Sequence, residues 1–122
     1  MKIYAVVLKS WWNCPDIGRD ESDVLYTFIT KDLAVEYIVR EIEELRTSLI
    51  NQYSKYLSES QVNKDYWESE LERVRDFKYD IDEIKEEGYA DITELAGHEL
   101  WGDNNEYQIE EHEVLEELPK DD

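Results

Sequence analysis

The chain has 122 residues, of which 32 are acidic and 13 basic, giving a formal net charge of −19, and it carries four Trp, nine Tyr and two Phe. That length is one domain's worth with a modest core, and the aromatic residues with a 41% apolar share exclude a wholly unfolded acidic chain. Charge of this sign and size excludes direct binding to nucleic acid or to an anionic membrane; it points to a solubility role or to a partner of opposite sign.

Taken in order, residues 3–8 are a short apolar run rich in β-branched and aromatic side chains between Lys2 and Lys9. They predict a strand over about residues 2–9, central in its sheet and covered on both faces. Pro15, Gly18 and the polar residues around them make a loop. Cys14 is the sole cysteine, so there is no internal disulfide, and the usage suits a reducing compartment, which we read as the cytoplasm. The N-terminal apolar run, without a small-residue cleavage site, is expected to be neither a signal peptide nor a membrane span. Residues 24–30 predict a second strand, paired antiparallel with the first.

Thr30 suits a helix N-cap, with Asp32 in the first turn. Ala34, Ile38, Ile42, Leu45, Leu49, Tyr53 and Tyr56 recur at helical spacing, which predicts a helix over 31–57. Ser58 and Gln61 stand at capping-box spacing and predict a restart, with a second helix over 60–87 ended by Gly88. The two helices should fold back as an antiparallel hairpin. Residues 88–106 read as irregular apart from one helical turn near Asp91–Leu95, residues 107–115 as a strand beside the first, and residues 116–122 as an acidic tail. The whole is a single α+β domain over 1–122, in the order ββααβ: a small antiparallel sheet, made of a β-hairpin and a C-terminal strand, carrying a long helical hairpin.

Charge is unevenly placed along this order: residues 1–30 and 31–57 each hold −1, residues 58–88 hold −6 and residues 89–122 hold −11. On the second helix Trp67, Leu71, Val74, Phe77, Ile81 and Ile84 form an apolar stripe. Asp65, Glu68, Glu72, Asp76, Asp80, Glu83 and Glu87 form an acidic row opposite it, about 33 Å long on an uninterrupted helix, close to the roughly 34 Å of one DNA turn. The row fits a basic groove built for DNA; it also fits a solvated helix face kept polar for solubility. Trp11 and Trp12 either close the end of the core or offer an exposed aromatic anchor.

Other chemistry is poorly served. Asp80 with Asp82, and Asp103 with Asn105 and Glu106, lack the glycine and terminal Glu offsets of a calcium loop. His98, His112 and Cys14 make no zinc pattern. There is no glycine-rich phosphate loop and no G-x-S-x-G elbow, so we expect no enzyme, no cofactor and no metal.

In charge and in its helical acid row, the second half of the chain resembles the small acidic inhibitors of phages and mobile elements, of the anti-restriction and anti-CRISPR DNA-mimic type, and the acidic immunity proteins that neutralise nuclease toxins. The strand-hairpin start and Tyr107-Gln108-Ile109-Glu110-Glu111 are similar to short phage proteins with a sheet-and-helix layout. The resemblance rests on no specific motif. It implies a cytoplasmic protein that binds a basic nucleic-acid-binding protein, a nuclease or effector complex, through Asp65, Glu68, Glu72, Asp76, Asp80, Glu83 and Glu87, with Trp11 and Trp12 as apolar anchors. The alternative is a non-catalytic assembly module, and the amphipathic hairpin also has the form to pair with a second copy.

Overall fold

The computed structural model describes residues 1–12, 21–100 and 102–114; the expectations for the loop around Cys14 and for the acidic tail lie outside those residues. The first apolar run does become the central strand. Lys2–Trp11 (β1) pairs antiparallel with Glu21–Phe28 (β2) on one side and with Asn104–Glu113 (β4) on the other, and Tyr89–Asp91 (β3) closes the far edge, giving the order β2-β1-β4-β3. Alternation along β1 sends Val6 toward the core with Tyr4 and Leu8, and Val7 to the opposite face. The fold is α+β, as the element pattern predicts.

Four helices complete it: Lys31–Glu59 (α1), Lys64–Asp76 (α2), Ile81–Glu87 (α3) and the single turn Thr93–Ala96 (α4). Thr30 caps α1, its hydroxyl accepting from the Leu33 amide at 3.2 Å. The predicted stripe is the buried face of α1, with Ala34, Ile38, Ile42, Leu49 and Tyr53 enclosed. This helix packs against β1, β2 and β4 and also against α2 and α3. The core joins Val6 and Tyr107 of the sheet to Leu71 and Val74 of α2, Ile84 of α3, and Ile92 and Leu95 around α4.

Several boundaries differ from expectation: β1 runs on to Trp11, β2 begins at Glu21 and ends at Phe28 rather than spanning 24–30, and β4 begins at Asn104 rather than at 107. The Ser58–Gln61 cap is not used: α1 runs on through Glu59, Ser58 Oγ donates back to the Lys55 carbonyl at 2.9 Å, and α2 begins after Asn63, a left-handed residue (φ 70°) with no side-chain cap. The helix expected over 60–87 is two helices separated by residues 77–80. Residues 89–91, expected to be irregular, form β3, because Gly88 ends α3 in the left-handed region (φ 79°) and turns the chain onto β4, where the Ile109 amide donates to the Gly88 carbonyl at 2.8 Å.

A polar knot fixes the loop between α4 and β4. Asn105 is fully buried. Its Oδ1 accepts from Ser10 Oγ at 2.5 Å, its Nδ2 donates to the Gly102 carbonyl at 3.1 Å, and its backbone exchanges bonds with Thr93 Oγ1 and the Ile92 amide. Removing a side chain of this kind orphans buried groups, at about 1–3 kcal/mol each. Asn105→Ala should therefore lower unfolding stability by about 2–4 kcal/mol in chemical denaturation, whereas Ser22→Ala, exposed on β2, should change it by less than about 1 kcal/mol.

Candidate acidic interface

The acidic row is reshaped by two local devices, each a helix end meeting a side chain. At the C-terminus of α2 the last carbonyls lack helical partners. Arg46, on α1 and mostly buried, supplies donors: Nη1 donates to the carbonyls of Val74 (2.8 Å) and Arg75 (3.0 Å), and Nη2 to that of Phe77 (2.8 Å). Glu43 holds the guanidinium from the other side at 3.2 Å, and the Phe77 ring lies 5.8 Å from its carbon. At the start of α3, Asp80 is the N-cap, its Oδ1 accepting from the amides of Asp82 (2.9 Å) and Glu83 (3.2 Å). The chain between these devices is extended, with ψ 127° at Phe77 and 118° at Asp80.

One straight 33 Å row is therefore corrected to two shorter tracks. Asp65, Glu68, Glu72 and Asp76 lie on α2 over about 16 Å. Asp80 is diverted to capping, and Glu83 and Glu87 continue on α3. The break also shifts the helical phase, so Ile81, expected in the apolar stripe, is half exposed. Both helices still run antiparallel along α1. The Trp67 and Tyr53 rings meet at 5.5 Å, Tyr79 Oη donates to Glu43 at 2.7 Å, and Lys85 pairs with Asp32 at 2.8 Å. Asp80, Glu83 and Glu87 come together with Asp91 of β3 around a groove of about 260 Å³ that Tyr79 and Tyr89 flank.

All seven carboxylate residues are exposed. Among the described residues, no Lys or Arg stands within ion-pair distance of any of them. Two nearby cations point inward instead. Arg46 is engaged as above, and Arg73 donates to the carbonyls of Glu94 and Leu95 in α4 while pairing with Glu70 at 2.7 Å. Partial burial opposes the Arg73 charge, but Glu70 outweighs it and the guanidinium pKa is raised. Gly97 permits this approach, since a Cβ there would stand 2.9 Å from Arg73 Nη2. Nearby, burial first and then the Glu99 carboxylate, which accepts from Tyr53 Oη at 3.2 Å, push the Tyr53 pKa up to about 12.

Trp11 and Trp12 are half-buried and sit away from both tracks, Trp11 in β1 opposite Asn104 and Trp12 on a cleft of about 640 Å³ that includes Arg73, Glu94 and His98. The aromatic cluster beside the acids is a different one, at the tip of the α1–α2 hairpin. Tyr56 and Tyr66 pack on Trp67 at 4.8 and 4.9 Å, and Tyr66 and Val62 are exposed.

Among the described residues, no three His, Cys, Asp or Glu side chains gather as a metal site, and no helix is long and apolar enough to cross a membrane. Compared with protein-family models, curated proteins and solved structures, the chain matches none.

The clamp gives a direct prediction. Charge-assisted bonds to a guanidinium are worth about 1.5–3 kcal/mol each, net. Arg46→Met should lower stability by about 3 kcal/mol or more and reduce far-UV helical signal, and Arg46→Lys, which restores one point donor in place of a fork, should recover less than half of the loss.

Proposed function

We propose that the protein is a binding inhibitor whose acidic face takes the place of nucleic acid on a basic nucleic-acid-binding protein, such as a defence nuclease or an effector complex. The observation that carries this reading is the combination of exposed, unpaired carboxylates on α2 and α3 with arginines beneath them turned onto backbone carbonyls. Arg46 of α1 and Arg73 of α2 are occupied with backbone carbonyls, and the exposed Lys64, Arg75 and Lys85 pair with none of the seven acids, so the tracks keep a net negative field.

Asp65, Glu68, Glu72 and Asp76 supply one charged track, and Glu83 and Glu87 with Asp91 supply the second around the Tyr79–Tyr89 groove. Exposed Tyr66 and Val62 at the hairpin tip add apolar contact beside Asp65, and Tyr is a residue type enriched where binding energy concentrates. Attraction between a chain of net charge −19 and a basic groove speeds association and weakens as salt screens it. The reading needs no catalytic group, metal or cofactor, and it makes the cytoplasm of a host cell the place of action.

The test compares two double reversals on opposite long elements, measured as association with basic proteins captured from a cell lysate at about 0.1 M salt. Glu72→Lys with Asp76→Lys, on the α2 track, should slow association by about tenfold or more, because steering of this kind is worth roughly 10 to 10³ in rate. Glu36→Lys with Glu44→Lys on α1 changes the net charge equally and should cost less than about a third of that on a logarithmic scale. Equal losses would count against a localised acidic face.

A further inference from the structure

We infer that the acidic face takes the place of an unpaired nucleic-acid strand, and that the protein it occupies holds single-stranded DNA or RNA on aromatic platforms set among its cations. This rests on the acidic-face reading and narrows the partner, whose rival within that reading is a groove built for duplex DNA.

Length separates the two. A duplex partner follows phosphates over a helical turn of roughly 34 Å, which an unbroken helix over residues 64–87 would match. The interruption at residues 77–80 ends the α2 track after about 16 Å and starts the α3 track on a new phase, with Asp80 drawn into capping. Two short tracks joined by an extended segment suit a partner that grips a bent, unpaired strand better than one that follows a straight duplex.

Ring placement points the same way. Four tyrosines are exposed, Tyr26, Tyr56, Tyr66 and Tyr89, and all but Tyr26 stand beside the acids. At the hairpin tip Tyr66, 51% exposed, lies one residue from Asp65, about 100° round α2. Trp67 backs it at 4.9 Å and carries Tyr56 on the same indole at 4.8 Å. At the second track Tyr89, 43% exposed, flanks the groove that Asp80, Glu83, Glu87 and Asp91 line. Its hydroxyl donates to Glu87, a bond that raises the phenol's pKa.

A duplex stacks the faces of its bases inside and offers a protein phosphates and base edges. An unpaired strand offers phosphates and base faces together, and the proteins that hold one line a cationic groove with aromatic side chains on which successive bases stack. Carboxylates with planar rings beside them reproduce both halves of that pattern. An acidic row that served a duplex groove, or solubility alone, has no use for the rings. Stacking tolerates any ring with a π-face, so a phenol serves where a base would.

NMR titration of the full chain at about 0.1 M salt with two basic peptides of equal charge, repeats of Lys-Trp-Lys and of Lys-Ala-Lys, tests this. The Lys-Trp-Lys peptide should bind tighter by about fivefold or more, with shifts at Asp65, Tyr66 and Tyr89. Tyr66→Leu with Tyr89→Leu keeps the apolar cover and removes the rings. It should cut the preference to less than about twofold and leave the Lys-Ala-Lys affinity unchanged, and either single variant should lose part of the preference. Glu72→Lys with Asp76→Lys should weaken both peptides. Equal affinity for the two peptides, or a preference that the folded ring variants keep, overturns the strand-like surface while the acidic face stands. Absence of binding at the tracks, or indifference of both peptides to the charge reversal, overturns the acidic face and the strand-like surface with it.

Discussion

Arg46 places one guanidinium on three carbonyls at the end of α2, and much of the molecule is arranged around that contact. Helix ends leave their last carbonyls without partners, and buried ones must find donors or destabilise the fold. A planar fork can satisfy several in fixed geometry where an ammonium cannot. Holding those carbonyls 28 to 31 residues away in sequence, Arg46 ends α2 against α1, and Asp80 then opens α3. The break turns a helix that periodicity would continue into two segments that follow α1, burying Leu71 and Val74 from one and Ile84 from the other.

The same contact bears on charge. A chain with 13 cations against 32 acids has few with which to balance its surface, and Arg46 and Arg73 are committed to backbone carbonyls beneath the helices. On the outer faces of α2 and α3 carboxylates outnumber the exposed Lys64, Arg75 and Lys85. Interior structure and exterior field are thus linked: two arginines that satisfy helix-end carbonyls are withdrawn from the acids above them. The first half of the chain behaves differently. It is nearly neutral and supplies β1, β2 and α1, with Val24, Tyr26, Ile29 and Leu33 exposed along and just beyond β2.

Much of the fold was legible because it depends on local pattern. The apolar run of residues 3–8, the Ala34-to-Tyr56 stripe, the Thr30 cap and the Gly88 stop each express a short-range rule, and each is found in the structure. The break at residues 77–80 was not read, because Trp67, Leu71, Val74, Phe77, Ile81 and Ile84 suit an unbroken helix and the closing donor comes from α1. One local sign was present: Asp80 and Glu83 stand at capping-box spacing, as Ser58 and Gln61 do, and only context decides which is used. β3 is too short to announce itself and exists by pairing with β4. The acids of the candidate site were legible as residues, their arrangement was not, and the apolar neighbours beside them are Val62 and Tyr66 at the hairpin tip rather than the Trp11–Trp12 pair.

The central claim is that residues 77–80 interrupt the helix and set the acids on two tracks, and backbone NMR of the wild-type chain tests it most directly. The account predicts helical carbon shifts over residues 64–76 and 81–87, extended values between them, and slowed amide exchange at Asp82 and Glu83 where Asp80 accepts their protons. Uninterrupted helical shifts from residue 64 to residue 87 would contradict it and restore a single straight acidic row.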